Sequence, residues 1–104
     1  MKFSIFLPGE TVKDQRCTPY PVLYFLTGLT STHENGPWKS NFGAYAAKHK
    51  ICVVFPDTSP RGVDIEGIKD EWDFGDGAGY YVNATVEKYS KHFNMYSYVT
   101  EELP

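Results

Sequence analysis

Val22-Leu23-Tyr24-Phe25-Leu26-Thr27-Gly28 and, further along, Ile51-Cys52-Val53-Val54-Phe55-Pro56 decide the fold. Each is an unbroken apolar run closed by a breaker, Thr27-Gly28 in the first and Pro56 in the second. A strand that is apolar on both faces belongs inside a parallel sheet covered from above and below. Between the two runs, residues 38–49 place Trp38, Phe42, Tyr45, Ala46 and His49 at i, i+4, i+7, i+8 and i+11, one stripe of a helix. Strand, loop, helix, strand is a βαβ unit with a right-handed crossover, so the order predicts an α/β domain.

Outward from this unit the signals weaken. Upstream, Phe3, Ile5 and Leu7 alternate with Ser4 and Phe6, which predicts a strand with one strongly apolar face, ended by Pro8-Gly9. Residues 9–20 are polar and read as a loop. Downstream, residues 56–83 lose periodicity and carry Pro56, Pro60 and five glycines together with Trp72, Phe74, Tyr80 and Tyr81. A loop of that length inside a compact domain is usually functional. Helix spacing returns over 95–103 through Tyr96, Val99 and Leu103.

The 104 residues leave room for one small domain. Hydrophobic residues are 41% and charged residues 22%, which excludes a disordered acidic tail. The 8 Tyr, 7 Phe and 2 Trp suit a packed interior or a lined pocket. The net charge is −3 and the basic residues are scattered, which argues against nucleic-acid binding. Two cysteines do not make a disulfide framework. Cys52 reads as a buried small hydrophobe, and a Cys17–Cys52 bridge is disfavoured. The N-terminus has too short an apolar core for a signal peptide, and no stretch approaches the roughly 20 apolar residues of a membrane helix. A soluble cytosolic protein is the expectation.

Two interior-type strands and one weaker strand do not close a sheet. Three strands have one interior position and two edges, so one of the apolar runs must present an unpaired hydrophobic edge. Either a partner covers that edge or the sequence is a fragment.

Several segments together resemble the S-formylglutathione hydrolases, the esterase D family. They are Met1-Lys2-Phe3-Ser4-Ile5-Phe6-Leu7-Pro8, Pro21 to Thr30, Phe55-Pro56-Asp57-Thr58-Ser59-Pro60-Arg61-Gly62, Trp72 to Tyr81, and Met95 to Pro104. The D-T-S-P-R-G and W-D-F-G-x-G-A-G blocks, in this order and spacing, are specific. The resemblance implies an α/β-hydrolase fold, mostly parallel with flanking helices. This chain is its N-terminal portion, one incomplete domain over 1–104. It implies a serine enzyme that cleaves S-formylglutathione to formate and glutathione in formaldehyde detoxification, and cleaves simple esters. No metal or organic cofactor is implied, and the full-length family tends to dimerise. The family's triad is Ser, Asp and His in chain order, with Ser in a G-x-S-x-G elbow. This sequence contains no G-x-S-x-G. The resemblance puts all three triad residues beyond the chain, so the chain alone is expected to be inactive.

The resemblance also implies site residues. The loop Gly28-Leu29-Thr30-Ser31 follows the first interior strand, where this fold takes one backbone N–H of its oxyanion hole. Leu29 is the candidate donor, and such a donor is worth ~3 kcal/mol to the transition state. The plain alternative is a βα turn with no catalytic role. Gly28, Thr30, Ser31, Arg61 and Trp72 are candidates for the pocket wall, and the long loop of Asp57, Arg61 and Trp72 to Tyr81 looks like part of it. The family commonly has Cys where Ser31 stands, so sensitivity to thiol reagents is in doubt here. Arg61 has two readings: an anchor for a glutathione carboxylate, or half of an internal salt bridge with Asp57. Trp72 and Phe74 are more often packing residues than ligand contacts. A triad assembled from Ser59, Asp57 and one of His33, His49 or His92 is rejected, because Ser59 sits between Thr58 and Pro60, away from any elbow. The histidines and cysteines have no metal-ligand spacing. The rival function is a non-catalytic module that pairs through its strand edge with a full-length hydrolase.

Overall fold

The computed structural model describes residues 1–9 and 19–104. Strand β1 runs Phe3–Phe6, β2 Val22–Tyr24 and β3 Cys52–Pro56. They form one sheet in the order β1-β3-β2. β2 lies parallel to β3, with Leu23 opposite Val53. β1 lies antiparallel to β3, with Phe6 opposite Val53. The βαβ unit is therefore present, inside a small mixed α/β sheet. The considered Cys17–Cys52 pairing lies outside the described residues. Cys52 itself is a buried, free thiol.

Among the described residues only β3 is interior. Every residue from Cys52 to Pro56 is buried, Val53 to 1% exposure. β2 takes the edge, and its Val22 and Leu23 remain 48% and 43% exposed. The two runs look alike in sequence, and the difference follows from position. A strand paired on both sides has its backbone and both faces covered, whereas an edge strand keeps one flank open. The unpaired apolar edge expected from the sequence is β2.

Helix α1 spans Asn35–Lys39 and α2 spans Phe42–His49. The single helix expected over 38–49 is thus two. The break is at Ser40, which is extended at φ −116° and ψ 150° and donates its N–H to the Gly36 carbonyl at 3.1 Å. Ser and Asn compete with the helix for backbone partners, and Ser40-Asn41 ends one helix and starts the next. The break also dissolves the expected stripe. Phe42 and Ala46 face the sheet, while Trp38, Tyr45 and His49 are exposed. α2 ends with Lys50 in the left-handed region, Ile51 N–H reaching Ala46 O at 2.9 Å and Lys50 N–H reaching Ala47 O at 3.3 Å, a Schellman closure.

The core is Ala46, Val53 and Phe55, with Phe6, Phe25 and Phe42 packed around it. The rings of Phe25, Phe42 and Phe55 meet edge to face, with centroids 4.9 to 5.8 Å apart. Four of the aromatic residues, all Phe, gather in this core. On β1 the expected apolar face is the less buried one. Phe3 and Ile5 are each 50% exposed, and Phe6, from the other face, reaches the core. The alternation signals a strand, but the phase that packs is set by where α2 lies.

After β3 the chain runs without helix or strand to Glu87, as the loss of periodicity predicts. Short helical turns follow at α3, Glu87–Ser90, and α4, Met95–Ser97. A wider π-helical turn, Tyr98–Glu102, continues from α4 in place of a regular helix. Met95 is buried there and anchors this end.

Candidate functional site

The turn after β2 is built by main-chain bonds. Ser31 N–H donates to the Gly28 carbonyl at 3.1 Å, closing Gly28-Leu29-Thr30-Ser31. Thr30, at the third position, has φ of 65°, a conformation that suits glycine and strains a β-branched residue. Its N–H donates to the Gly77 carbonyl at 2.8 Å, which holds the strained residue in place. Among the described residues the Leu29 N–H has no acceptor, although its neighbours at 30 and 31 are both paired. The Leu29 side chain is partly exposed.

The long loop after β3 grips this turn at three points. Thr58 Oγ1 donates to the Ser31 carbonyl at 2.6 Å. Arg61 Nη2 donates to the same carbonyl at 3.0 Å. Tyr81 donates its hydroxyl to the Thr27 carbonyl at 2.7 Å. The loop is itself tied down by Gly77 N–H, which donates to Ser59 Oγ at 2.6 Å. Gly75, Gly77 and Gly79 all have positive φ, which gives the G-x-G-x-G spacing a conformational reason. Gly79 is also the point of closest approach: a Cβ there would stand 3.0 Å from the Leu29 nitrogen.

Asp57 and Arg61 form a forked pair. Arg61 Nε lies 2.9 Å from Asp57 Oδ2 and 3.1 Å from Oδ1, and Nη2 lies 3.0 Å from Oδ1. Asp57 is buried, and its Oδ1 also accepts the Thr58 N–H at 2.7 Å. The hydrogen bond to Asp57 outweighs desolvation and raises the Arg61 pKa, so the guanidinium stays charged. Of the two sequence readings of Arg61, the internal salt bridge is the one formed. Burial pushes the Tyr81 phenol above the ordinary tyrosine range, and the bond to Thr27 opposes that only in part.

The structure therefore gathers Gly28, Leu29, Thr30, Ser31 and Arg61 at one place. Trp72 stands apart at 71% exposure. An apolar cavity of about 160 Å³ opens beside Thr58 and Ser59. Its lining includes Ile68, Phe74, Ala78, Tyr80 and Met95, so the stretch from Trp72 to Tyr81 contributes to it, whereas Gly28, Thr30, Ser31, Arg61 and Trp72 itself do not. Phe74 meets the Tyr89 ring at 5.4 Å there, a packing contact. Sequence reasoning missed Thr58, and it read Gly79 and Tyr81, within the stretch from Trp72 to Tyr81, as pocket wall and not as holders of the turn. Their signal was present as the D-T-S-P-R-G and G-A-G-Y-Y blocks, but no motif announces a hydroxyl that holds a main-chain carbonyl. No histidine hydrogen-bonds to Ser59 among the described residues, and Ser59 is buried with its Oγ taken by Gly77. That geometry agrees with rejecting Ser59 as a nucleophile.

Comparison with known proteins follows the same lines. The Esterase family model matches residues 1–104. The chain is 49% identical over 104 residues to the S-formylglutathione hydrolase of Mus musculus and 50% identical to that of Arabidopsis thaliana. It is 48% identical over 106 residues to that of Paracoccus denitrificans. These alignments take in 100% of this chain but only 35 to 36% of each relative. The solved S-formylglutathione hydrolase from Agrobacterium tumefaciens superposes with a TM-score of 0.86 at 44% identity, over 98% of this chain and 35% of that one. The chain spans about a third of the length of the curated relatives it matches, which agrees with a partial α/β-hydrolase domain. With the family model matched across all 104 residues, the chain belongs to the esterase family.

Proposed function

We propose that this chain is the part of a serine-dependent thioester and ester hydrolase that supplies one oxyanion-hole donor, the Leu29 N–H. The observation that carries this reading is the Leu29 N–H, which has no acceptor among the described residues while the Thr30 and Ser31 amides beside it are bonded. A donor fixed before the reaction stabilises the charge that develops on a carbonyl oxygen without reorganising at that moment. In the assembled enzyme Ser attacks the formyl thioester, His takes and returns the proton, and Asp orients His. Glutathione leaves as the thiol, and water then releases formate. The substrate is S-formylglutathione, with simple esters as secondary substrates. The same reading makes the enzyme cytoplasmic, homodimeric and part of formaldehyde catabolism. Residues 1–104 are one partial domain, inactive alone because the chain has no G-x-S-x-G elbow.

The test joins residues 1–104 to the part of the mouse hydrolase that this chain does not match. The joined protein is expected to hydrolyse S-formylglutathione, and replacing Leu29 by Pro, which removes the N–H, is expected to lower kcat by 10²-fold or more. A folded, inactive joined protein would overturn the reading. A second reading, a non-catalytic module, is favoured by the open β2 edge with Val22 and Leu23 exposed. It predicts that the chain captures a full-length hydrolase subunit and lowers its rate.

A further inference from the structure

Resting on the reading of Leu29 as a donor, we propose that Arg61 is a positioning residue for that donor and not a ligand for a substrate carboxylate. Tyr81 is its counterpart at the other end of the turn. The first argument is occupancy. The N–H of Nε and the two of Nη2 are directed at Asp57, Thr58 Oγ1 and the Ser31 carbonyl. A carboxylate approaching the Nε–Nη2 edge would have to displace Asp57, a buried acid that would be left with an uncompensated charge, so only the two N–H of Nη1 remain open to a ligand.

The second argument is connectivity. Ser31 O takes Arg61 and Thr58, and Thr27 O takes Tyr81. These two carbonyls bracket Gly28, Leu29 and Thr30. The middle of the turn is held by Thr30 N–H on Gly77 O, and Gly79 closes over the Leu29 nitrogen. Thr30 sits in the left-handed region, where release would let it relax. A planar fork holds a carboxylate at two points in a fixed geometry and a carbonyl at a third; an ammonium has three donors but no such fixed two-point fork. The side chain of Ser31 has no part in the clamp, which works through its carbonyl.

The experiment is backbone NMR of the 104-residue chain as wild type, Arg61→Lys and Tyr81→Phe. In Arg61→Lys the Thr30 shifts are expected to lose their left-handed signature. Exchange of the Thr30 and Ser31 amides is expected to rise about tenfold or more, as loss of a charge-assisted bond implies. The β3 amides keep their protection. Tyr81→Phe is expected to give the same change in smaller measure, and it carries the test if Arg61→Lys lowers β3 protection as well. Glutathione, which bears the two carboxylates of the substrate class, is expected to leave the wild-type Arg61 Nε–H signal unmoved at millimolar concentration. Either of two results overturns the proposal: an unchanged Thr30 signature and exchange rate in the variants, or a saturable shift of the Arg61 Nε–H with glutathione. None of these readouts involves turnover. A displaced turn in Arg61→Lys, with full activity of the joined protein carrying the same change, would leave the clamp standing and remove the oxyanion reading instead.

Discussion

β2 and β3 are near twins in sequence and opposites in the molecule. Both are short apolar strands, yet β3 is buried along its whole length while β2 stays close to half exposed. The difference is one of neighbours. β3 is paired on both sides and covered by α2 through Phe42 and Ala46, whereas among the described residues β2 has a partner on one side only. An apolar run thus reports the environment that a strand is suited to, and the edge position of β2 leaves that suitability unused.

The largest effects should separate the two strands. Phe55→Ala removes a ring from the centre of the core and is expected to cost about 3–5 kcal/mol in urea unfolding. Leu23→Ala, half exposed on β2, is expected to cost about 1 kcal/mol. Equal costs would break the comparison. Next comes the clamp. Arg61→Ala leaves Asp57 buried without its fork and should cost about 2 kcal/mol by the same denaturation.

Smaller effects sharpen the view of the turn. Gly79→Ala puts a side chain at φ 75° and against the Leu29 nitrogen, and is expected to lose about 1–2 kcal/mol. Thr30→Gly has the opposite sign: it relieves a left-handed β-branched residue and should gain under about 1 kcal/mol, net of the added freedom of the unfolded chain. The smallest effect is alkaline. Burial raises Tyr81 and Tyr98 above the ordinary tyrosine value of 10.0, so each keeps its proton in the folded chain after the unfolded chain has lost it. Their contribution is fully present below pH 10 and falls as pH climbs through the raised values. Tyr81→Phe should flatten that decline in a pH series of urea midpoints.

Much of this was legible in the residues. The apolar runs gave β2 and β3, and the loss of period gave the long loop after Pro56. The shortage of strands gave the open edge. The break at Ser40-Asn41 was not legible, because the stripe from Trp38 to His49 satisfies helix spacing whether or not the backbone is continuous. The packing face of β1 was misplaced, because Phe6 reaches the core across the sheet while Phe3 and Ile5 remain half exposed. At the turn, sequence pointed to Gly28-Leu29-Thr30 and to Asp57 with Arg61. It did not point to Thr58, and it pointed to Gly79 and Tyr81 only as pocket wall; their hold on the turn comes from contacts to main-chain atoms far along the chain.

The central claim is that this chain carries a donor turn and the clamp that shapes it, without a nucleophile. Hydrolysis of p-nitrophenyl acetate by the purified 104-residue chain tests that most directly, with S-formylglutathione as second substrate and Ser59→Ala as the paired variant. The account predicts no turnover above buffer from either protein. Clear turnover that disappears in Ser59→Ala would contradict it and place a catalytic centre within these residues.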